Sequence, residues 1–418
     1  MLAALLNFFI AIVISQALGD TGKGVQALLL ATISFILIFS DIVCGESIVF
    51  LAPRHSFKKI WVASVVWAAF VAVVMGLSIK VFYPALDVNM VSHVALLSFV
   101  SSLSSINYRF LVGREEIRKA NYNTMLQPVV MVIVLLLYYV ILKKRDIYGY
   151  VVALYAAYIS SFLLGVWMLR NEYRHLFHSG DHAYSTVLKD LFKYGFLNQT
   201  GHFVQFFNLR LSYYLLTEFV DVGRVGVFSN AVSLAEAVWI ISSSIALVQY
   251  ARIANAENRS YAQKLTLDLG KICLLFSLLA VVALCLLPPS VYQFVFGPGF
   301  GEMAGIIRIL SPGILFYCLF LILGHYYSGI GRYQMNTLAS ICGLVVTFVC
   351  GFTLIPRYDV VGAAITSAIS YMVTALFLFV FFLKESHFKG QDFILTRKEW
   401  KNHIVGIKQF MLKQHEEK

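Results

Sequence analysis

Residues 336–362 read NTLASICGLVVTFVCGFTLIPRYDVVG, and residues 123–149 read NTMLQPVVMVIVLLLYYVILKKRDIYG. Each stretch opens on Asn-Thr (Asn336, Asn123) and closes on Asp-x-x-Gly (Asp359 to Gly362, Asp146 to Gly149). Both pairs are offset by 213 positions, with 21 mostly apolar residues between the Thr and the Asp. A weaker echo joins Gly22-Lys23 to Gly223-Arg224. The pattern reads as an internal duplication. Each apolar run is long enough to cross about 30 Å of hydrocarbon as a helix.

The rest of the chain repeats that theme. Of its 418 residues, 59% are hydrophobic and 13% charged, and its mean hydropathy is +0.77. A soluble protein keeps roughly a quarter of its residues charged, so most of this chain faces lipid. Apolar runs predict twelve spans, near 2–18, 25–52, 60–86, 91–112, 121–142, 148–169, 195–217, 224–249, 265–287, 303–329, 333–355 and 360–383. No Lys or Arg precedes Leu2–Leu18, so that stretch reads as the first membrane helix, not a signal peptide.

Six spans per half give both halves the same orientation. The fold class expected is an all-α integral membrane protein of about twelve transmembrane helices. Two six-helix bundles would be related by a pseudo-two-fold axis along the membrane normal. The halves are 1–169 and 195–383, with a cytoplasmic linker at 170–194 and a basic cytoplasmic tail at 384–418. Placing the N-terminus inside puts 14 Lys and Arg in inner connections and eight in the tail, against six outside. That asymmetry predicts both termini in the cytoplasm. The Lys143-Lys144-Arg145 cluster runs against it. The net charge of +11 is then explained by anionic lipid, with no nucleic acid needed.

Charged and polar groups within spans are costly and need reasons. Arg210, in FFNLRLSYYLL (206–216), shares a helical stripe with Gln199, Phe203, Phe206, Tyr213, Tyr214 and Thr217. Guanidinium donors match phosphate oxygens in pairs, and flat rings stack on sugars. The plainer reading is an interhelical ion pair with Glu236, which shares a stripe with Ser229, Ser233 and Ser243. Asp41 and Glu46, in SDIVCGES, are candidates for binding H+ or Na+. Five positions apart, they point to different faces of a continuous helix. Lys80, Arg109, Lys271 and Arg308 lie near span ends, where long side chains reach back to headgroups. His93, His202 and His325 read as packing residues, and the six cysteines as small apolar packers, with no metal site. No GxSxG, HExxH, Walker loop or GxGxxG marks a catalytic site, and the loops are too short for a catalytic domain.

The stretch 294–370 resembles the C-terminal half of bacterial polysaccharide flippases of the multidrug/oligosaccharidyl-lipid/polysaccharide (MOP) superfamily, which share a MATE-like fold. The features are FG-x-x-F at Phe296–Phe300, the ILSPG at Ile309–Gly313, the YSGIGR at Tyr327–Arg332 with Asn336, and the IPRY-x-x-x-GAA at Ile355–Ala364. Residues 209–254 are similar too, with Arg210-Leu211-Ser212, then Val225–Ser229, then Glu236 before Trp239. Ser212 stands where relatives often carry an acid. LGDTGKG…SIVF (18–50) resembles the family's first two helices.

The resemblance implies a flippase, not an enzyme, in the bacterial inner membrane. It would move an undecaprenyl-diphosphate-linked oligosaccharide, an O-antigen, capsule or exopolysaccharide unit, to the outer leaflet by alternating access. Arg210, Glu236, Gln199, Phe206 and Tyr214 would line its central cavity. Asp41 and Glu46, or the membrane potential, would couple an ion gradient. Membrane lipids surround it, and a polysaccharide polymerase and chain-length regulator would act beside it. The competing readings are a drug/cation antiporter of the same superfamily and a membrane polymerase or glycosyltransferase.

Overall fold

The computed structural model describes residues 2–82, 88–175, 184–256, 258–386 and 388–393. The middle of the expected linker and the tail beyond Phe393 lie outside the described residues. Fourteen α-helices run through the described residues: α1 (Leu2–Cys44), α2 (Glu46–Leu51), α3 (Phe57–Phe82), α4 (Val88–Gly113), α5 (Ile117–Leu136), α6 (Tyr148–Met168), α7 (Arg170–His175), α8 (Tyr184–Phe219), α9 (Val222–Glu236), α10 (Trp239–Ala254), α11 (Arg259–Leu286), α12 (Pro289–Phe296), α13 (Met303–Gly329) and α14 (Gln334–Glu385).

Eight of these are long and apolar enough to cross a membrane, and α9 with α10 forms one further span bent by 41°. Two of the eight are too long for one crossing. α14 has 52 residues and breaks at Asp359 (φ 54°, ψ −133°). A straight helix of that length would be about 78 Å long, more than twice the hydrocarbon thickness. It doubles back instead, because the Ser370 hydroxyl donates to the Gly343 carbonyl at 2.9 Å. α1 has 43 residues and breaks at Gly19 (φ 69°), a left-handed conformation that glycine adopts without a Cβ penalty. Ile10 and Ile14 before that break share one buried cluster with Leu29, Ile33 and Ile36 after it. With both helices split and the polar, 36-residue α8 added, the count reaches the twelve expected spans.

The duplicated stretches occupy equivalent hairpins. In the first, Asp146 Oδ1 accepts from the Gly149 amide at 3.2 Å and from the Tyr138 hydroxyl at 3.1 Å, which fixes the start of α6. In the second, the Asp359 carboxylate takes the Arg224 guanidinium at 2.7 Å. Gly149 and Gly362 each leave no room for a Cβ, against Tyr138 and the Leu354 carbonyl respectively. The small residue lets each returning helix lie close on the one before it.

Contacts divide the described chain into two compact units. One comprises the residues up to Leu234 with Leu287–Leu310 and Leu344–Ser367. One buried cluster in it holds Ile42, Ile48, Ile60 and Phe110, and another holds Ile14, Ile33, Leu97 and Leu154. Backbones meet directly within it: Gly195 of α8 lies on the Ile42 carbonyl, Gly24 on the Val222 carbonyl and Gly226 on the Asp20 carbonyl. The second unit comprises Ala235–Leu286, Ser311–Gly343 and the described residues from Ala368 on. Gly313, beside the intrahelical Pro312, brings α13 onto the backbone of Ala368.

Candidate functional site

α8 is the polar helix of the first unit, and its side chains show what the polar groups do. Gln199 is buried and its amide Nε2 reaches the Asp41 carbonyl at 3.5 Å. Thr347 Oγ1 is 3.0 Å from Asn208 Oδ1. The Tyr214 hydroxyl lies 3.3 Å from Thr32 Oγ1. Arg210 is half-buried, donates to the Leu209 carbonyl at 3.2 Å and lies 5.4 Å from the Tyr213 ring centroid. Interior donors and acceptors are costly when unmet, so this stripe turns toward protein partners. Phe206 is buried in a cluster with Phe35 and Phe207, at 5.5 Å from each ring.

The second grouping forms where α1 ends. Gly45 caps α2 with non-helical angles (φ −95°, ψ −138°), and its amide donates to the Asp41 carbonyl at 3.0 Å. The break re-aims Glu46, which pairs with Arg109 of α4. Arg109 also acts electrostatically on Asp41 and on His202 of α8. Two buried atoms of opposite character here lack hydrogen-bond partners among the described residues: Asp41 Oδ1 and Arg109 Nε. Arg109, expected to reach for headgroups, instead holds Glu46. Lys271, expected to do the same, is buried. The side chain of Lys80 lies outside the described residues. His93 and His325 behave as packing residues, bonding Tyr155 and the Leu321 carbonyl.

The third grouping belongs to the second unit and sits at the bend between α9 and α10. Glu236 Oε1 accepts from the Tyr371 hydroxyl at 3.2 Å. Trp239 stacks on Tyr317 at 4.2 Å, and Tyr371 packs edge-on against Trp239 at 5.4 Å. The buried Trp239 Nε1 has no hydrogen-bond partner among the described residues. The grouping thus joins a carboxylate, an indole N–H and three aromatic rings that pack on one another, with Tyr317 and Tyr371 in the interior.

Of the residues expected to form one site, Gln199 reaches Asp41, Arg210 and Tyr214 lie on the same helix, and Glu236 accepts from Tyr371. Tyr317 and Tyr371 escaped the sequence reading, because each is one tyrosine among 23 and only folding brings them to Glu236. Trp239, three residues after Glu236, was within its reach. Arg109 was read as a span-end residue and not as a partner of Glu46, because helical spacing alone hides the break at Gly45.

Comparison with known proteins follows the same direction. The fold matches a lipid II flippase MurJ in an inward closed conformation, with a TM-score of 0.75 at 16% identity over 94% of this chain and 87% of that one. It also matches an inward-facing multidrug resistance MATE family transporter of the MOP superfamily, with a TM-score of 0.68 at 15% identity over 92% and 94%. At the sequence level, the chain is 27% identical over 157 residues to the capsular polysaccharide biosynthesis protein CapF of Staphylococcus aureus, covering 38% of this chain and 37% of CapF. It is 26% identical over 217 residues to an uncharacterized membrane protein of Methanocaldococcus jannaschii, covering 50% and 43%. The chain therefore spans less than half the length of the curated relatives it matches. The match to the lipid II flippase MurJ family, in contrast, runs over residues 55–412, and the chain belongs to that family.

Proposed function

We propose that this protein flips a saccharide carried on a prenyl diphosphate, and that the saccharide is a repeat unit of a surface polysaccharide. Arg210 carries the reading: a fixed cation, half-buried on a helix face whose other polar members are amides and hydroxyls. Such a group suits a diphosphate and is out of place in a pocket for cationic drugs. Glu236, held by the Tyr371 hydroxyl beside Trp239, adds an acid of the kind that accepts hydroxyl protons. The family's named substrate, lipid II, and CapF's role in capsule synthesis fall in the same chemical class.

In this reading the protein sits in the bacterial inner membrane with both termini inside. Its two halves, 1–169 and 195–383, alternate access. Asp41 and Glu46 couple H+ or Na+, and a polymerase and chain-length regulator take the product. The test is the lipid-linked glycan pool of a deletion strain, resolved by leaflet. The expected result is prenyl-diphosphate-linked repeat units trapped on the cytoplasmic side with surface polysaccharide lost. An unchanged pool with altered drug efflux would replace this reading with the antiporter.

A further inference from the structure

Three helix ends of the second unit meet around a cavity of about 340 Å³: the end of α10, the start of α11 and the end of α13. Arg259 and Arg332 form its polar wall, and Ile253, Ala262 and Ile330 its apolar one. A shallow depression adjoins it through Ala256 and Asn258 and adds Arg252. Both arginine side chains are 52% exposed, and both hold Glu385, the last residue of α14. Arg332 Nη1 lies 2.8 Å from Glu385 Oε1, and Arg259 Nη2 takes the other oxygen. Gln263 fixes the Glu385 carbonyl at 3.0 Å.

An exposed ion pair contributes little to stability, so the arrangement calls for another explanation. A guanidinium has five N–H donors, and the carboxylate engages one nitrogen of each arginine. It therefore fixes both side chains at the cavity wall, Arg259 with the Tyr326 hydroxyl as a second partner, and each guanidinium has more donors than the carboxylate takes up. Among the described residues two arginines share this one glutamate, so an anion is still favoured. The apolar wall favours a ligand that also carries an apolar part. A phosphate attached to an apolar chain meets both walls, and helices that span a membrane end at the depth where such groups lie.

We propose that this cavity binds the phosphodiester headgroup of an anionic glycerophospholipid, with Arg259 and Arg332 as phosphate ligands and Glu385 as their positioning residue. The proposal goes beyond the transport reading and does not depend on the transported substrate.

The test uses the purified full-length protein in detergent and measures retention of phosphatidylglycerol, phosphatidylcholine and inorganic phosphate by native mass spectrometry. Phosphatidylglycerol is expected to be retained over phosphatidylcholine, and millimolar phosphate not to displace it. The double variant Arg259→Gln/Arg332→Gln should weaken retention on the order of 30-fold, the effect of two basic contacts at a lipid surface. Glu385→Gln should leave the melting temperature little changed and weaken phosphatidylglycerol retention by less than the double variant does, since the arginines remain but are no longer held in place. Should the double variant fail to fold, Arg252→Gln, which lies outside the Glu385 cluster, should still weaken retention several-fold. Equal retention of the two lipids would overturn the proposal. So would displacement by phosphate, unchanged retention in Glu385→Gln at an unchanged melting temperature, or unchanged retention in Arg252→Gln.

Discussion

Arg210 and Glu236 illustrate how one charge differs from another inside a membrane protein. Arg210 keeps its guanidinium beside the Tyr213 ring, and its planar fork of donors has the shape that pairs with an oxyanion. Arg210→Gln is expected to reduce flipping by roughly 10- to 100-fold, the value of about 1.5–3 kcal/mol for a charge-assisted hydrogen bond. The readout is leaflet-resolved glycan at matched membrane abundance, and Arg210→Lys should recover part of the loss. Trp239→Phe removes the spare N–H and keeps a ring against Tyr317. A loss of about 1 kcal/mol in saccharide binding, a few-fold in affinity, is expected without loss of stability. An unchanged affinity would place the saccharide elsewhere. Asp41→Asn should leave the protein folded and remove the dependence of transport on an imposed pH or Na+ gradient. Persistence of that dependence would rule out Asp41 as the coupling acid.

At the scale of elements, small residues decide where helices touch. Gly195 and Gly226 lie directly on the carbonyls of Ile42 and Asp20, so any side chain there must move a backbone. Gly226→Val is expected to cost about 1–3 kcal/mol as overpacking, read as a lower melting temperature of the purified protein. The hairpins of the repeat rely on polar anchors instead. Ser370→Val removes the hydroxyl that ties the two arms of α14 together, and a loss of about 1 kcal/mol is expected. Both effects are structural, and both should leave the substrate preference of the surviving protein unaltered.

For the whole molecule, the sequence by itself determined the membrane-spanning class, the number of spans and the duplication. Those follow from composition, from apolar run length against bilayer thickness, and from two Asn-Thr and Asp-x-x-Gly frames 213 residues apart. Each is a property of order along the chain, which folding does not alter. Tertiary structure decided the rest. It placed Arg109 on Glu46 because the helix breaks at Gly45, and no periodicity runs through a break. It gathered Tyr317, Tyr371 and Trp239 around Glu236 from three separate helices. It also set Phe206 among phenylalanines and Gln199 on Asp41, although one helical stripe had made them equivalent. A stripe states which residues share a face. Only packing states what that face meets, because the neighbours come from parts of the chain that no local pattern connects.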